Sequence, residues 1–320
     1  MQNPIRTYEA NQEGRDFVIG DLHGSFQLFI KLLEDIKFDP EIDRMFSVGD
    51  LVDRGEDSMN CMRLYKEPWF HACLANHEQM MLECFDGGYM GQFWFRNGGN
   101  WGFEHFKNWS DYKRDKHLGA DGFKLPPETV EFMELLEIVR ELPFIMTIGL
   151  QDESKCHVIH AELPPGHIIT DSDLSSPKKL MELATVQSQD GDFMIWGRHK
   201  FYSFYKTDLS NTAKNIRVIK NLFKGHKVND KLSKIISGHT IIQRPMTILG
   251  QTNIDTQAYG AYPDSYGSTK GWCALTCLEL NEWRFHQCTM KEFRTVSPLV
   301  INTSDLYVDN FEEENGGQPT

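Results

Sequence analysis

Three short polar clusters in this chain combine residue types that could do chemistry, and each follows an apolar stretch. They are Asp21-Leu-His23-Gly24, Gly49-Asp50-Leu-Val-Asp53-Arg54-Gly55 and Asn76-His77-Glu78. Two later histidines, His160 in Ile-His-Ala and His239 in Gly-His-Thr, also follow apolar stretches. A single histidine after a strand is more often structural than functional. An ordered set of carboxylate, imidazole and amide side chains at strand ends favours a metal centre.

The mixture of donors indicates a centre with two divalent cations. Carboxylate, imidazole and amide oxygen together suit Mn, Fe or Zn better than Ca. We expect Asp21 and His23 to reach one ion from a single loop, and Asp50 to bridge both ions. The six expected ligands are Asp21, His23, Asp50, Asn76, His160 and His239. A water held between two such cations loses its proton near neutral pH and becomes a nucleophile.

Three further side chains in the same clusters have types suited to phosphate chemistry. Arg54 could hold two phosphate oxygens with its planar guanidinium. His77 follows an expected ligand, so it would lie near the ions and could act as a general acid toward a leaving alkoxide. Asp53 is expected to orient His77 and to keep it protonated.

The elements that must position these clusters follow an α/β pattern. Short apolar runs predict strands that stop just before the polar residues, and helical spacing between them predicts helices, the first with Ser25 as its N-cap. Residues 86–125 are expected to form loops and short helices. The predicted strands are 17–20, 45–49, 70–75, 144–150, 156–160, 234–237 and 246–249, and the predicted helices are 25–36, 57–66 and 128–141. Ligand sites of α/β sheets lie outside the carboxyl ends of the strands.

The charge balance limits the partners of the protein. Its 320 residues include 33 Lys and Arg against 46 Asp and Glu, so the formal net charge is −13. Such a chain is a poor candidate for binding duplex nucleic acid, which requires a surplus of cations. An anionic substrate would therefore need a local positive site made of metal ions or a few arginines.

The cysteines and the polar N-terminal residues favour a cytoplasmic protein. The seven cysteines are scattered, and the Cys273–Cys277 pair lacks the partners of a zinc site, so we expect reduced, buried thiols. The N-terminal residues have no apolar core, and no apolar run is long enough for a membrane helix. We therefore expect neither a signal peptide nor membrane association.

The motifs resemble those of the calcineurin-like metallophosphoesterases. D-x-H-G, G-D-x-V-D-R-G and N-H-E in this order are similar to the phosphoprotein phosphatase (Ser/Thr phosphatase) branch, most closely to its phage-lambda-type members. Pro68-Trp69-Phe70 and Asn97-Gly-Gly-Asn-Trp101 add to the likeness. It covers residues 16–165 well and continues in patches through Ile195-Trp-Gly-Arg198, Gly238-His-Thr240 and Ile254-Asp-Thr256.

The resemblance implies a fold of two facing mixed β-sheets flanked by helices, a four-layer sandwich with a di-metal site at the sheet edge. It implies a metal-dependent phosphatase of Ser/Thr phosphoproteins, extending to Tyr, in which a hydroxide held by two ions, with Mn favoured over Fe or Zn, attacks a phosphomonoester. Asp21, His23 and Asp50 would hold one ion; Asp50, Asn76, His160 and His239 would hold the other. Arg54 and Arg198 would bind the phosphate, and Asp53–His77 would be the orienting residue and the acid. The substrates would be phosphorylated proteins or small phosphoesters.

The chain departs from the family pattern at two positions. Ala75 stands where the family usually has glycine before Asn-His-Glu, and we expect alanine to fit. Gln257 replaces the glycine of Ile-Asp-Thr-Gly-Ala. A second Gly-His, Gly225-His226, lies in a polar Lys-rich segment, so we prefer His239 as the ligand.

We expect one catalytic domain over residues 1–302 and a flexible acidic tail over 303–320. Insertions near 100–125, 200–230 and 257–271 are expected to set the choice of substrate.

Two alternatives remain open from the sequence. One is a dinucleoside polyphosphate hydrolase or a phosphatase of nucleotide or nucleic-acid ends, although the Val-Asp-Arg-Gly and Asn-His-Glu forms favour a protein phosphatase. The other is a catalytically inactive binding module. The completeness of the side-chain set argues against it, since a degenerate scaffold usually loses ligands or the acid.

Overall fold

The computed structural model describes residues 4–88, 91–118, 122–164, 168–187, 191–202, 230–262 and 271–301. The predicted acidic tail 303–320, the second histidine candidate Gly225-His226, and most of the predicted insertions at 200–230 and 257–271 lie outside these residues. Within the described part, none of the helices has the length and apolar character needed to cross a membrane.

The strands form where the apolar runs predict them. The predicted strand 234–237 coincides with an observed strand, and the others agree to within a few residues. The strands of the described residues, in chain order, are β1 Ile5–Tyr8, β2 Asp16–Ile19, β3 Arg44–Ser47, β4 Phe70–Ala72, β5 Ile145–Gly149, β6 Lys155–Ile159, β7 Lys234–Ser237, β8 Met246–Ile248, β9 Gln251–Asn253, β10 Leu275–Glu279, β11 Arg284–Cys288, β12 Phe293–Val296 and β13 Leu299–Ile301.

These strands build two mixed sheets. One has the order β1-β5-β6-β7-β9-β8-β13 and the other β12-β11-β10-β2-β3-β4. In the second sheet β2, β3 and β4 pair in parallel while β10 runs antiparallel to β2 and β11. Apolar side chains from the two sheets, such as Val18 and Phe46 on one and Met146 and Val158 on the other, form one buried cluster between them. The predicted fold of two facing mixed sheets flanked by helices is confirmed.

The helices pack against these sheets. Ser25 occupies the N-cap position of the first helix as predicted, although its side chain makes no capping hydrogen bond. The α-helices of the described residues are α1 Phe26–Asp35, α2 Ser58–Arg63, α3 Asn76–Phe85, α4 Gly91–Arg96, α5 Phe103–His117, α6 Pro127–Arg140, α7 Asp171–Leu174, α8 Pro177–Ala184 and α9 Phe193–Trp196.

The helix α5 corrects the expectation of only loops and short helices over 86–125, because it extends over 15 residues. None of its residues is fully buried, which explains why its polar sequence gave a weak helical pattern. Phe106 and Trp109 still pack against the main core from one side. Basic residues in its last turn complement the helix dipole.

The strand ends bring the polar clusters together. In the second sheet, β2 leads to Asp21, β3 to Asp50, and β4 to Asn76, the first residue of α3. In the first sheet, β6 leads directly to His160 and β7 to His239. The parallel pairing of β2–β3–β4 and of β6–β7 places these ends at common edges.

A single carboxylate, Asp171, ties the two histidine-bearing strands together. Its side chain accepts hydrogen bonds from His157 on β6 (3.0 Å) and from the backbone N–H (2.8 Å) and hydroxyl (2.7 Å) of Ser233, just before β7. Nζ of Lys155 lies 3.1 Å from Oδ2 of Asp171. Partial burial acts against the ionised form, but these donors hold the pKa of Asp171 well below its usual range.

Asp171→Asn is therefore expected to lower the free energy of unfolding at pH 7 by about 2 kcal/mol, because several donors lose a charged, partly buried acceptor. A depressed pKa in the folded state gives stability that is complete above the unfolded pKa of about 4 and is lost as the pH falls below it. Urea unfolding at several pH values measures this. The difference in the free energy of unfolding between wild type and variant should become smaller below about pH 4. A difference independent of pH would contradict a stabilising role for the ionised Asp171.

Candidate metal centre

The loops that carry the site have an unusual backbone. Ten non-glycine residues in the described part have positive φ, and five of them belong to the predicted site. These five are His23 (44°), Asp50 (52°), Asp53 (73°), Arg54 (65°) and His239 (67°). Asp and His tolerate this region better than most residues. The concentration of strained backbone at one place is typical of functional sites.

Backbone hydrogen bonds hold the loops after β2 and β3 against each other. The carbonyl of Asp50 accepts from the N–H groups of Leu22 (3.1 Å) and His23 (2.8 Å). The buried carboxylate of Glu78 accepts from the N–H groups of Asp50 (3.0 Å) and Leu51 (2.9 Å). The two expected ligand loops are thus fixed relative to each other and to the start of α3.

Two groups of buried side chains in the described residues have ligand atoms close enough to share a metal ion. One is His23, Asp50 and His77, and the other is Asp50, His160 and His239; in each, the ligand atoms lie within 4.8 Å of one another. Asp50 belongs to both groups, which is the geometry expected of a bridging carboxylate. Its Oδ2 lies 3.5 Å from His23 Nε2 and 3.6 Å from His160 Nε2.

The other two expected ligands adjoin these groups. Asn76 Oδ1 lies 2.8 Å from His160 Nε2, in the second group. Asp21 Oδ2 lies 4.0 Å from His23 Nε2, and both Asp21 oxygens accept from the backbone N–H of His239 at 3.0 and 3.1 Å. The first group also contains His77, the expected general acid, whose Nε2 lies 4.0 Å from Asp50 Oδ2.

The hydrogen-bond partners of the histidines leave lone pairs directed into the site. His160 Nδ1 lies 3.0 Å from the carbonyl of Val48, which can only accept, so Nδ1 carries the proton and Nε2 has a free lone pair. This Nε2 faces Asn76 Oδ1, Asp50 Oδ2 and, at 3.1 Å, His239 Nδ1. Nε2 of His239 is buried and has no hydrogen-bond partner among the described residues. Such a convergence of acceptors is what a divalent cation satisfies, so these residues fit a metal.

Burial dominates the electrostatics of the site. It raises the pKa of Asp21 well above its ordinary value, and the carboxylates of Asp255 and Asp50 raise it further. Burial lowers the pKa of His160 to about 3, so this imidazole is neutral at neutral pH. It also lowers the pKa of His239 well below its ordinary value, with Arg198 adding to the effect. Neutral imidazoles beside crowded carboxylates form a donor set for cations.

Both predicted arginines lie at the site. Arg54 donates to His23 Nε2 (2.6 Å) and to His77 Nε2 (2.8 Å). Arg198, which only the family likeness suggested, donates to the backbone carbonyl of His239 at 2.9 Å. The guanidinium of Arg54 also lies over the ring of Tyr259, 5.4 Å from its centroid. The site therefore has two fixed positive charges beside the candidate metal ligands.

The predicted Asp53–His77 pair is present. Asp53 Oδ2 lies 2.6 Å from His77 Nδ1, so His77 donates through Nδ1 and turns Nε2 toward the site. Burial raises the pKa of Asp53 to about 7, although hydrogen bonds from Trp101 and Trp94 oppose this rise.

Other residues at the site were missed by the sequence reasoning. Asp255 is fully buried next to Asp21, and within the described part of the chain one of its carboxylate oxygens has no hydrogen-bond partner. Glu78 fixes the Asp50 loop. Asp255 and Glu78 lie in the motifs Ile254-Asp-Thr256 and Asn76-His-Glu78. Membership of these motifs was the sequence signal that could have identified them. No local pattern marked Trp94 as a partner of Asp53.

The two departures from the family pattern are accommodated differently. Ala75 has extended backbone (φ −123°, ψ 171°), so alanine fits there without strain, as expected. Gln257 adopts the left-handed conformation (φ 61°, ψ 62°) that favours glycine, and it does so while buried.

The chain is similar to known phosphoesterases. The family model described as calcineurin-like phosphoesterase matches residues 17–243. The chain is 30% identical over 194 residues to serine/threonine-protein phosphatase 2 of Escherichia coli (strain K12), covering 58% of this chain and 79% of that protein. It is 42% identical over 73 residues to a symmetrical bis(5′-nucleosyl)-tetraphosphatase of Actinobacillus succinogenes, covering 22% and 26%. The solved structure of a cold-active protein tyrosine phosphatase matches with a TM-score of 0.49 and 18% identity, over 91% of this chain and 80% of that chain.

Substitution of Gly238 tests how closely the backbone after β7 packs against the carboxylate of Asp21. A Cβ added there would overlap Asp21 Oδ1, so Gly238→Ala must displace the carboxylate. We expect the variant to bind divalent cations about tenfold more weakly or worse, as displacement of a ligand's support typically does. Calorimetric titration of the metal-free protein with Mn²⁺ measures this. Gly122→Ala, where a Cβ meets only a 3.8 Å contact, is the control; equal affinities in both variants would refute the packing argument.

Proposed function

The chain belongs to the calcineurin-like phosphoesterase family, and from that premise we propose that it is a metal-dependent phosphatase of phosphoserine and phosphothreonine in proteins. The observation that carries the proposal is Asp50, shared by two ligand groups and flanked by two arginines and the Asp53–His77 pair. The likeness to a serine/threonine-protein phosphatase over 79% of that protein supports the substrate class.

The proposed metal ligands divide between two ions. Asp21, His23 and Asp50 would hold one ion, and Asp50 with Asn76, His160 and His239 would hold the other. Mn²⁺ is the proposed ion because the set mixes imidazole with oxygen donors, and Fe and Zn are the alternatives. When bound, the pair of cations supplies Lewis acidity to the phosphoryl group and to a water molecule.

The protein's own side chains supply the rest of the reaction. Arg54 and Arg198, whose guanidinium groups lie at the site, bind and orient the phosphoryl oxygens. His77 in its protonated form donates a proton from Nε2 to the departing alkoxide, which requires that Arg54, the donor to Nε2 in this structure, first turn to the phosphoryl group. Asp53, 2.6 Å from Nδ1, holds the ring in that orientation and stabilises its positive charge before the proton leaves.

The competing functions differ in the substrate that the site must bind. Similarity to a bis(5′-nucleosyl)-tetraphosphatase keeps dinucleoside polyphosphates as the second candidate substrate, over a shorter stretch of 73 residues. An inactive binding module is disfavoured because the described residues contain the complete proposed set. We propose the cytoplasm as the location, since all seven cysteines are free and buried, as expected of a reducing compartment.

The test is a panel of substrates at fixed Mn²⁺: phosphoserine, phosphothreonine and phosphotyrosine peptides, a dinucleoside tetraphosphate, a phosphorylated RNA end and an aryl phosphate. We expect phosphoserine and phosphothreonine peptides to have the highest kcat/KM. Preference for the tetraphosphate or the RNA end would replace the proposal with the nucleotide alternative, and no turnover with any divalent metal would leave only the binding module.

Asp50→Asn provides the matching variant. Loss of the shared carboxylate should lower kcat on all substrates by more than about a hundredfold, because it supports both ions. The exposed Asp152→Asn, which removes a carboxylate far from the site, should leave the rate unchanged. Near-normal activity of Asp50→Asn would exclude a bridging role.

His77→Asn tests the general acid. An alkoxide is a poor leaving group and needs the proton, whereas an aryl oxide does not, so kcat on the phosphoserine peptide should fall by roughly a hundredfold or more and kcat on the aryl phosphate far less. Comparison of kcat rather than KM separates this from any loosening of Arg54. His117→Asn, on the exposed end of α5, is the control. Equal losses on both substrates would contradict the acid assignment.

A further inference from the structure

Two tryptophan side chains converge on the carboxylate of Asp53. Trp94 Nε1 lies 3.1 Å from Oδ1 and 3.0 Å from Oδ2, and Trp101 Nε1 lies 2.7 Å from Oδ1. His77 Nδ1 occupies Oδ2 at 2.6 Å. Asp53 and Trp94 are both completely buried. The three ring N–H groups therefore surround one carboxylate that water does not reach.

The chain between the two tryptophans is shaped to hold these rings. Gly99 and Gly102 lie so close to the ring of Trp94 that a Cβ on either would overlap it. Trp101 meets Trp94 edge to face at 6.1 Å, and Phe85 packs against the other side of Trp94 at 6.0 Å. The residues form a short 3-10 helix, Gly99–Gly102, between α4 and α5. The Trp94 ring therefore has no room to turn away from Asp53.

Core packing alone does not explain this arrangement. A buried indole needs one acceptor for its single N–H, and a backbone carbonyl supplies that without burying a charge. Here two indoles donate to one carboxylate, and the same carboxylate also accepts from His77 Nδ1. An indole is a donor only and is planar, so it cannot exchange roles or follow a rotating carboxylate. Trp101 holds Oδ1 and Trp94 bridges both oxygens, so the carboxylate is fixed with Oδ2 facing His77 Nδ1.

We propose that Trp94 and Trp101 are positioning residues that fix the rotation of the Asp53 carboxylate, and through it the orientation of the His77 ring during proton donation. The proposal rests on the proposed function for its kinetic consequence. It assigns a role to Asn97-Gly-Gly-Asn-Trp101 and to the beginning of the 100–125 stretch: this part of the chain supports the catalytic pair. Trp94 and Trp101 themselves act only through Asp53.

The kinetic test compares Trp101→Phe with Trp109→Phe. Both replacements keep most of the ring volume, and both tryptophans are partly buried against the same core, but among the described residues Trp109 makes no hydrogen bond to Asp53. For Trp101→Phe, kcat on a phosphoserine peptide should fall about tenfold or more, as loss of a hydrogen bond to a charged group predicts. KM, and kcat on an aryl phosphate, should change far less. Trp109→Phe should match wild type.

Equal losses on the two substrates, or no difference between Trp101→Phe and Trp109→Phe, would overturn the proposal. Trp94→Phe should reproduce the Trp101→Phe pattern where it folds; because its ring fills the space beside Gly99 and Gly102, the conclusion rests on the Trp101 variant. If the wild type hydrolyses neither substrate, the proposed function fails, and a measurement independent of activity then decides the positioning claim.

That measurement is the ¹H–¹⁵N spectrum of the indole N–H groups in the metal-free protein. The chain has seven tryptophans, and the Trp101 signal is the one absent from the Trp101→Phe spectrum. Asp53→Asn replaces a charged acceptor with a neutral one, so the Trp101 and Trp94 signals should move upfield and exchange faster with solvent, while the Trp109 signal stays in place. An unchanged Trp101 signal in Asp53→Asn would overturn the proposal.

Discussion

The burial of the Asp50 carboxylate is the constraint around which the site is built. Its N–H donates to Glu78, its carbonyl accepts from the loop after β2, and its Oδ1 accepts from the N–H of His77. Oδ2 alone is left for the shared position between the imidazoles of His23 and His160. Because every other polar group of this residue is committed to the fold, movement of its carboxylate requires rearrangement of both loops and of α3.

That constraint explains where the protein tolerates strained backbone. A non-glycine residue in the left-handed region costs about 1 kcal/mol or more, and this site contains several within a few loops. The two facing sheets supply the rigidity that maintains them, since the strained residues lie only two to seven residues after the ends of paired strands. Asp171 links β6 to the residue just before β7 by hydrogen bonds, and so adds rigidity to the side of the site that carries His160 and His239.

The parts of the site that could be predicted are those encoded locally. An apolar run followed by Asp or His predicts both a strand and a polar side chain at its end, so Asp21, Asp50 and His160 could be found without knowing the topology. Arg198 follows α9 in a segment with no apolar strand before it, so only family likeness pointed to it. Trp94 could not be found because its partner is 41 residues away and its pattern is that of any core aromatic. The helix α5 was missed for a related reason: it buries no residue completely, and burial is what generates a strong periodic pattern.

Because the net charge is −13, an anionic substrate must be attracted by positive charge located at the site itself. At physiological salt, charges farther than about 8 Å apart are largely screened, so the acidic surface exerts only a weak long-range repulsion. At the site, Arg54 is exposed and Arg198 is half-buried, so water weakens their attraction for a phosphoryl group. The buried carboxylates of Asp21, Asp50 and Asp255 weaken it further by offsetting the two guanidinium groups. We therefore infer that cations must fill the proposed ligand set before the site can attract a phosphate, so the metal would be required for substrate binding as well as for the reaction.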